Sequence, residues 1–322
     1  MKSTGRTSAS TDARTAGPQG RSAVSVVVPC YNGGRFLDEL MDSLARQTFH
    51  DFEIIIVDDG SDDQETPRKL AALQGRVRVI RQDNRGPSAA RNAGIRAARA
   101  DIVSMLDCDD TIEPHFLSET VPLLRAAPRE VGMIVTDLRL VGEEVGVSRR
   151  YFNRFDLLFT NTLSVGLVMR KECCLTVDGY DETMRDGYED WDFSLRLAEA
   201  GYRCIAVPKP LYVYHIRPDS TWLSRSSGVN TKYLHASLWR SIRRKHADSY
   251  RPLAILRLWW ASRDGTGLIP IWKGLTAYFL AFLLPDYWFS QLIAGLRNRA
   301  AAELRPDAGR LRFSRDGLTK VS

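Results

Sequence analysis

An α/β fold, with a mainly parallel sheet covered by helices on both faces, is the class this sequence predicts. Three observations predict it. Apolar runs of strand length lack the inside/outside alternation of a half-solvated sheet, helix-period segments separate them, and turn formers close several of them. The composition agrees: 322 residues, 44% hydrophobic and 26% charged, suit a globular chain of one large domain or a domain with an appendage.

The elements follow in order. Residues 1–22, MKSTGRTSASTDARTAGPQGRS, have no apolar run and read as a disordered tail without the apolar core of a secretory signal. Their Arg/Ser-rich, acid-poor character also suits an organellar transit peptide. VSVVV (24–28) is the first strand, closed by Pro29. FLDELMDSLARQ places Phe36, Leu37, Leu40, Met41 and Leu44 on one helical face. EIIIV (53–57) is the next strand and stops at Asp58-Asp59-Gly60-Ser61, a cluster of turn formers. A helix over 64–74 and a strand, VRVI (77–80), come next. PSAARNAGIRAARA (87–100) opens with the Pro-Ser of a helix start, and IVSML (102–106) is a strand. Glu113-Pro114 begins a helix through Leu124, and VGMIVTD (131–137) is a further strand. After a loop, the helix of EDWDFSLRLAEAG carries a core-facing stripe drawn from Trp191, Phe193, Leu195, Leu197 and Ala198.

Ligands of such sheets bind beyond the carboxyl ends of the strands. Two acidic clusters sit at such ends, Asp58-Asp59 and Asp107-Asp109-Asp110. A solvated turn accounts for the first taken alone, and an Asp-rich helix cap for the second. Asp107 and Asp109, however, are two hard oxygen ligands beside a loop, and a divalent cation resolves the repulsion between them. Magnesium and manganese usually bring substrate phosphates as co-ligands. Glu189, Asp190 and Asp192 lie at a helix N-terminus, where the dipole favours acids, and a carboxylate there also suits a proton acceptor beside a metal site.

Five cysteines, Cys30, Cys108, Cys173, Cys174 and Cys204, form no CxxC pair and no His-interleaved spacing, which argues against a zinc site or disulfide framework and for a reducing compartment. The net charge of +6 is uneven: residues 217–322 hold 18 Lys/Arg against 7 Asp/Glu, so the basic charge is concentrated in the C-terminal third.

Taken in order, VSVVVPCYNGGRFL, DFEIIIVDDGSDD, NRGPSAARNAGI, DIVSMLDCDD and GYDE…YEDWDFSLRLAEAG resemble the family 2 inverting glycosyltransferases, with the Rossmann-like glycosyltransferase-A fold, from about Val24 to Ser220. That resemblance implies a nucleotide-sugar donor, with a UDP-sugar as the leading expectation, a divalent metal (Mn2+ or Mg2+) and single-displacement transfer to a hydroxyl of a glycan or lipid-linked acceptor, as in cell-surface polysaccharide synthesis. It implies that Pro29, Tyr31 and Asp58 hold the nucleoside, that Arg91 faces the diphosphate, and that Asp109 and Asp107 form the DxD metal pair, Asp107 alternatively reaching the ribose or sugar. It makes Asp190 the catalytic base, with Glu189 and Trp191 shaping the sugar and acceptor pocket. One stretch departs from the family: YVYHIRPDST has His215 where Arg is common and Arg217 where His is, which puts a histidine metal ligand in doubt. Arg217 suits a phosphate clamp instead.

Two rivals stand beside this reading. A sugar-nucleotide nucleotidyltransferase would want a Gly-rich, basic phosphate loop after strand 1, where this chain has PCYNGGRFL. A non-catalytic nucleotide-binding or scaffolding relative would need none of the acids.

The expected organisation is a tail (1–22), a catalytic domain (23–220), a helical basic extension (221–300) and a flexible tail (301–322). Within the extension, 231–247 is amphipathic and ends in Arg243, Arg244 and Lys245. The apolar, aromatic stretch 268–299 is interrupted by Pro285-Asp286. It packs on the domain, docks on an anionic membrane through 231–299, or spans a membrane. Nucleic acid is not an expected partner, since no recognition motif accompanies the charge. The expected location is cytoplasmic, at the inner face of the cytoplasmic membrane if the extension docks there.

Overall fold

The computed structural model describes residues 22–185, 187–217, 229–262, 269–272, 275, 276, 279, 311–314 and 317–320. The expected tail (1–22) lies outside them except for Ser22, as does most of 268–299.

The Val/Ile runs form β1 (Val24–Cys30), β2 (Phe52–Asp58), β3 (Arg78–Arg81) and β4 (Ile102–Met105), paired in parallel in the order β3-β2-β1-β4. Both faces are covered. Val24, Val26 and Val28 pack with Leu37, Leu40 and Leu44 of α1 (Leu37–Ala45) and with Leu117 and Val121 of α4 (Phe116–Ala126). Val27, Ile55 and Val57 pack with Ala90 and Ile95 of α3 (Pro87–Ala97). This two-sided burial is why these strands show no alternation. Contact between α3 and β1 is close: a Cβ on Gly94 would lie 2.2 Å from Val27 Cγ1. The intervening α2 spans Glu65–Ala72.

Beyond β4 the sheet is mixed rather than parallel. It continues through β8 (Val168–Arg170), β6 (Val131–Gly142), β9 (Arg203–Ile216) and β5 (Thr111–Ile112), with β7 (Gly146–Ser148) on β6. β8 runs antiparallel to both β4 and β6, β9 is parallel to β6, and β5 is antiparallel to β9. The sequence reading names no strand over 203–216, a stretch that Pro208 and Pro210 interrupt. The protein accommodates them in irregular register between Thr136 and Leu138 of β6. The expected helix start at Glu113-Pro114 is also corrected. Thr111–Ile112 pairs with β9 and the Glu113 N–H continues that pairing to Leu211 O, so α4 begins at Phe116.

The helix α6 (Glu189–Glu199) follows α5 (Lys171–Thr176), and both cover the second face of the sheet. A third apolar cluster joins Trp191 and Leu195 of α6 to Phe155, Leu157 and Phe159, and to Trp239, Ile242, Tyr250 and Ile255 of the extension. The helices Val229–Lys245 and Pro252–Ala261 therefore pack on the sheet domain. No helix among the described residues is long and apolar enough to cross a membrane. In the tail expected to be flexible, Leu311–Ser314 and Gly317–Lys320 pair as an antiparallel hairpin. All five cysteines are free thiols and buried.

Candidate active site

Register places the first groups. Parallel pairing sets Cys30 beside Asp58 and Asp58 beside Arg81 at the carboxyl edge of the sheet. Pro29 is partly buried within β1, and Tyr31, the next residue past the strand, is 48% exposed, an open ring at the carboxyl edge of the sheet. Asn32, in the left-handed region at φ +49°, clamps the β2–α2 loop: its Nδ2 donates to Asp62 Oδ1 and its Oδ1 accepts from the Asp62 and Asp63 N–H groups.

Both carboxylate oxygens of Asp58 are already engaged. Its side chain is 3% exposed, Oδ2 accepts from Arg81 Nη1 at 2.5 Å, and Oδ1 accepts from the Ser61 N–H at 2.9 Å. The half-exposed Arg81 is held at this strand end by the Asp58 carboxylate. Asp59 is also turned inward, accepting from the backbone N–H groups of Arg85 and Gly86 that lead into α3.

The loop after β4 divides the three crowded carboxylates between two tasks. Asp110 is buried: it accepts from Tyr212 Oη at 2.8 Å and from the His215 N–H at 2.8 Å, tying the loop to β9. Burial, reinforced by Asp109 and Asp107, pushes its carboxyl up to about 7 against the relief given by His215. Asp107 and Asp109 stay nearer the surface, at 21% and 42% side-chain exposure. Beneath them the Cys108 thiol meets Cys30 Sγ at 3.2 Å. A Cβ on Gly33 would lie 2.6 Å from Cys108 Sγ, so any larger residue there would push the thiol pair aside.

Arg217 lies 4.0 Å above the Phe36 ring and donates to the Asp109 carbonyl at 2.8 Å, with its guanidinium 3.6 Å from Asp109 Oδ2. His215 lies beside Glu39 and Asp110, its Nε2 3.4 Å from Glu39 Oε1 and its Nδ1 3.7 Å from Asp110 Oδ1.

The donor set fits a hard divalent cation that arrives with its own phosphate ligands. Asp109 and Asp107 supply carboxylate oxygens. Desolvation and then the Asp107 charge hold the Asp109 carboxyl above its ordinary value, the mark of a site short of positive charge. Among the described residues no three His, Cys, Asp or Glu side chains form a closed cage, so protein ligands alone would leave coordination positions open.

Arg91, the residue expected to face the diphosphate, has a side chain 9% exposed, with Nη2 on Asp107 Oδ1 at 2.9 Å and Nη1 on Glu189 Oε1 at 2.9 Å, and its guanidinium is 5.4 Å from the centre of the Tyr180 ring. It joins the β4 loop to the first residue of α6. Glu189 is thereby committed to this bridge.

Asp190 follows Glu189 and is half-buried. Its Oδ2 accepts from Asn161 Nδ2 at 2.8 Å and its Oδ1 from the Trp191 N–H at 2.8 Å. Burial, followed by the Glu189 charge, pushes its carboxyl up to about 6, against the pull of Arg91. The residue before the helix, Tyr188, is held at φ +66°, a conformation that bulky side chains rarely adopt and that clusters at functional sites. Trp191 is 3% exposed and donates Nε1–H to Leu157 O at 2.7 Å, so it anchors α6 in the core.

Arg81 and Asn161 lie outside the quoted motifs, while Tyr188 and Tyr212 open YEDWDF and YVYHIRPDST without being singled out there. Asn161 is set by its own Oδ1, which accepts from the Ser164 N–H at 3.0 Å.

Comparison with known proteins adds what geometry cannot. Residues 25–166 match the family model described as glycosyl transferase family 2. The succinoglycan biosynthesis protein ExoO of Rhizobium meliloti is 32% identical over 219 residues, 61% of this chain and 62% of that protein. The chain spans less than two thirds of the curated relatives it matches, from 17% to 62% of their lengths. Among solved structures, S. aureus TarS 1–349 in complex with UDP-GlcNAc aligns with a TM-score of 0.57 at 20% identity, over 92% of this chain and 96% of that one. The Pyrobaculum calidifontis mannosyltransferase PcManGT, in complex with GDP-Man and Mn2+, gives 0.53 at 21% identity, over 89% and 88%.

Proposed function

We propose that this chain is a family 2 glycosyltransferase, on the match of residues 25–166 to that family model and on its glycosyltransferase-A fold, and that it is a metal-dependent inverting enzyme moving a hexosyl group from a nucleotide sugar to a hydroxyl of a glycan or lipid-linked acceptor. The observation that carries this reading is Asp190: a carboxylate raised to about 6, fixed by Asn161, and linked through Glu189 and Arg91 to the paired acids of the β4 loop. A base is most effective when its pKa lies near the working pH.

In the proposed reaction the acceptor oxygen attacks the anomeric carbon from the face opposite the nucleotide, and Asp190 takes its proton. The C–O bond to the nucleoside diphosphate breaks, its electron pair leaves with the phosphate, and the anomeric configuration inverts. Asp109 and Asp107 would hold Mn2+ or Mg2+, which, when bound, neutralises the charge on the departing diphosphate. Tyr31 offers its open ring to the base, and Arg81 stands at the same edge. Bound nucleotide sugars in TarS and in PcManGT, with Mn2+ in the latter, support a nucleotide-sugar donor and a divalent metal for this chain. We take a UDP-sugar as the donor to test first.

We place the reaction at the cytoplasmic face of the membrane, with an anionic phospholipid surface as the docking partner. Leu253, Leu256, Arg257 and Trp260 recur at helical spacing on the outer side of the Pro252–Ala261 helix, with Leu253 69% and Trp260 68% exposed. An apolar stripe set in a basic segment matches such a surface. Sedimentation with phosphatidylserine vesicles at low salt should carry the protein down, and Leu253→Glu should release it.

Thermal unfolding with UDP, GDP, dTDP and CMP, with and without manganese, tests the donor site on the wild type and on Asp109→Asn. A ligand at 100 times its dissociation constant adds about 2.7 kcal/mol, or roughly 5–10 °C. One nucleotide should give a manganese-dependent shift that Asp109→Asn loses. With that donor, the product anomer read by NMR should be inverted. Absence of any shift, or a retained configuration, would overturn the proposal.

A further inference from the structure

Helix α6 is gripped at both ends by the C-terminal extension. Near its N-terminus, Asp192 is fully buried, and its Oδ1 receives His246 Nε2 at 3.0 Å and Lys245 Nζ at 2.8 Å. Its Oδ2 receives Arg196 Nε at 2.8 Å. At the C-terminal end, Glu199 meets His246 Nδ1 at 2.9 Å through Oε2 and Ser249 Oγ at 2.5 Å through Oε1. One imidazole, 2% exposed, therefore spans two carboxylates seven positions apart in sequence, two turns along one helix face. Lys245 also reaches Asp181 at 2.5 Å in the loop before α6, and Arg196 donates to Gly179 O at 2.6 Å and to Val177 O. Beside this bracket Tyr250 Oη donates to Leu158 O, and Trp191 closes the apolar side.

A helix position needs no such clamp for packing alone, since Phe193 and Leu197 already bury on the sheet. The clamp fixes rotation and tilt about that packed face. Asp190 sits two residues from Asp192, at the end of the helix that the clamp controls.

We infer that His246, with Asp192 and Glu199, is a positioning residue for Asp190, so that the extension sets the geometry of the proton acceptor. The inference rests on the reading of Asp190 as the base. Misplacement of a catalytic group by about 1 Å is worth about 10²-fold in rate.

The test uses the full chain, with the nucleotide sugar identified as above. His246→Gln and Asp192→Asn should lower kcat about 10- to 100-fold. KM for the donor and the manganese-dependent nucleotide shift should stay within about twofold. Loosening α6 admits water to Asp190, so the acid limb of the kcat profile should move to lower pH. Val121→Ala in α4 controls for destabilisation, lowering Tm without moving the limb. Glu199→Gln, milder and partly exposed, carries the test if the other two do not fold. If Asp190→Asn still turns over at the wild-type rate, the base reading fails and the inference with it. If Asp190→Asn is inactive but the bracket variants keep the wild-type kcat and limb, or only match Val121→Ala, the positioning inference alone is overturned.

Discussion

Arg91 Nη2 stands 2.9 Å from Asp107 Oδ1, and the same guanidinium reaches Glu189 Oε1 at 2.9 Å. A planar fork can hold two carboxylates at once, whereas an ammonium is a single point. The β4 loop and the start of α6 are thus fixed relative to each other by one buried side chain.

Arg91→Ala leaves two carboxylates facing each other without a cation. Removing one partner of a buried pair costs about 3–5 kcal/mol. Urea unfolding should show a loss of that size, and Arg91→Lys should recover only part of it. A variant of unchanged stability with weaker nucleotide binding would return Arg91 to the diphosphate.

Tyr31 and Asp58 should separate cleanly. Tyr31→Ala removes an exposed ring and should weaken nucleotide binding by about 1–3 kcal/mol with stability unchanged, while Tyr31→Phe binds normally. Asp58→Asn breaks the Arg81 pair and the Ser61 contact, so it should lower Tm as well as affinity. Calorimetric titration beside thermal melts distinguishes the two.

Gly94→Ala tests the α3–β1 contact. Alanine favours a helix by about 1 kcal/mol, but the new methyl would stand 2.2 Å from Val27 Cγ1. Overpacking of this kind costs about 1–3 kcal/mol, so the variant should melt lower.

The His246 bracket has a pH signature. Burial alone would lower the imidazole value, but Asp192 and Glu199 raise it above 6.5. A group raised on folding contributes its full stability below the unfolded value, and that contribution fades as pH rises through the folded one. The Tm gap between wild type and His246→Gln should therefore be widest below pH 6.5 and narrow above it. A gap that widened with pH would contradict the double ion pair.

The strands β1, β2, β3 and β4 are legible because β-branched runs buried on both faces leave an unmistakable pattern. The mixed half is not. β8 is only three residues long, and β9 hides behind Pro208 and Pro210. Asp107, Asp109 and Asp190 are legible as motifs, since acids crowded at strand and helix ends call for an explanation. What those motifs touch is not legible. Arg91 and Trp191 turn inward, and Asp110 divides from its neighbours, because each answers to partners far away in sequence: Glu189, Leu157 and Tyr212. Asn161 and His246 have no local signal at all.

The most direct measurement is the transfer rate of Asp190→Asn under saturating donor, acceptor and manganese, beside wild type from pH 4.5 to 8.5. Asparagine keeps the shape and cannot take the proton. The account predicts a loss of about 10²–10⁴-fold in kcat with the nucleotide shift retained. It also predicts a wild-type rate that falls as pH drops below about 6, where Asp190 protonates. A variant within tenfold of wild type, or a wild-type rate flat through pH 6, would contradict Asp190 as the base.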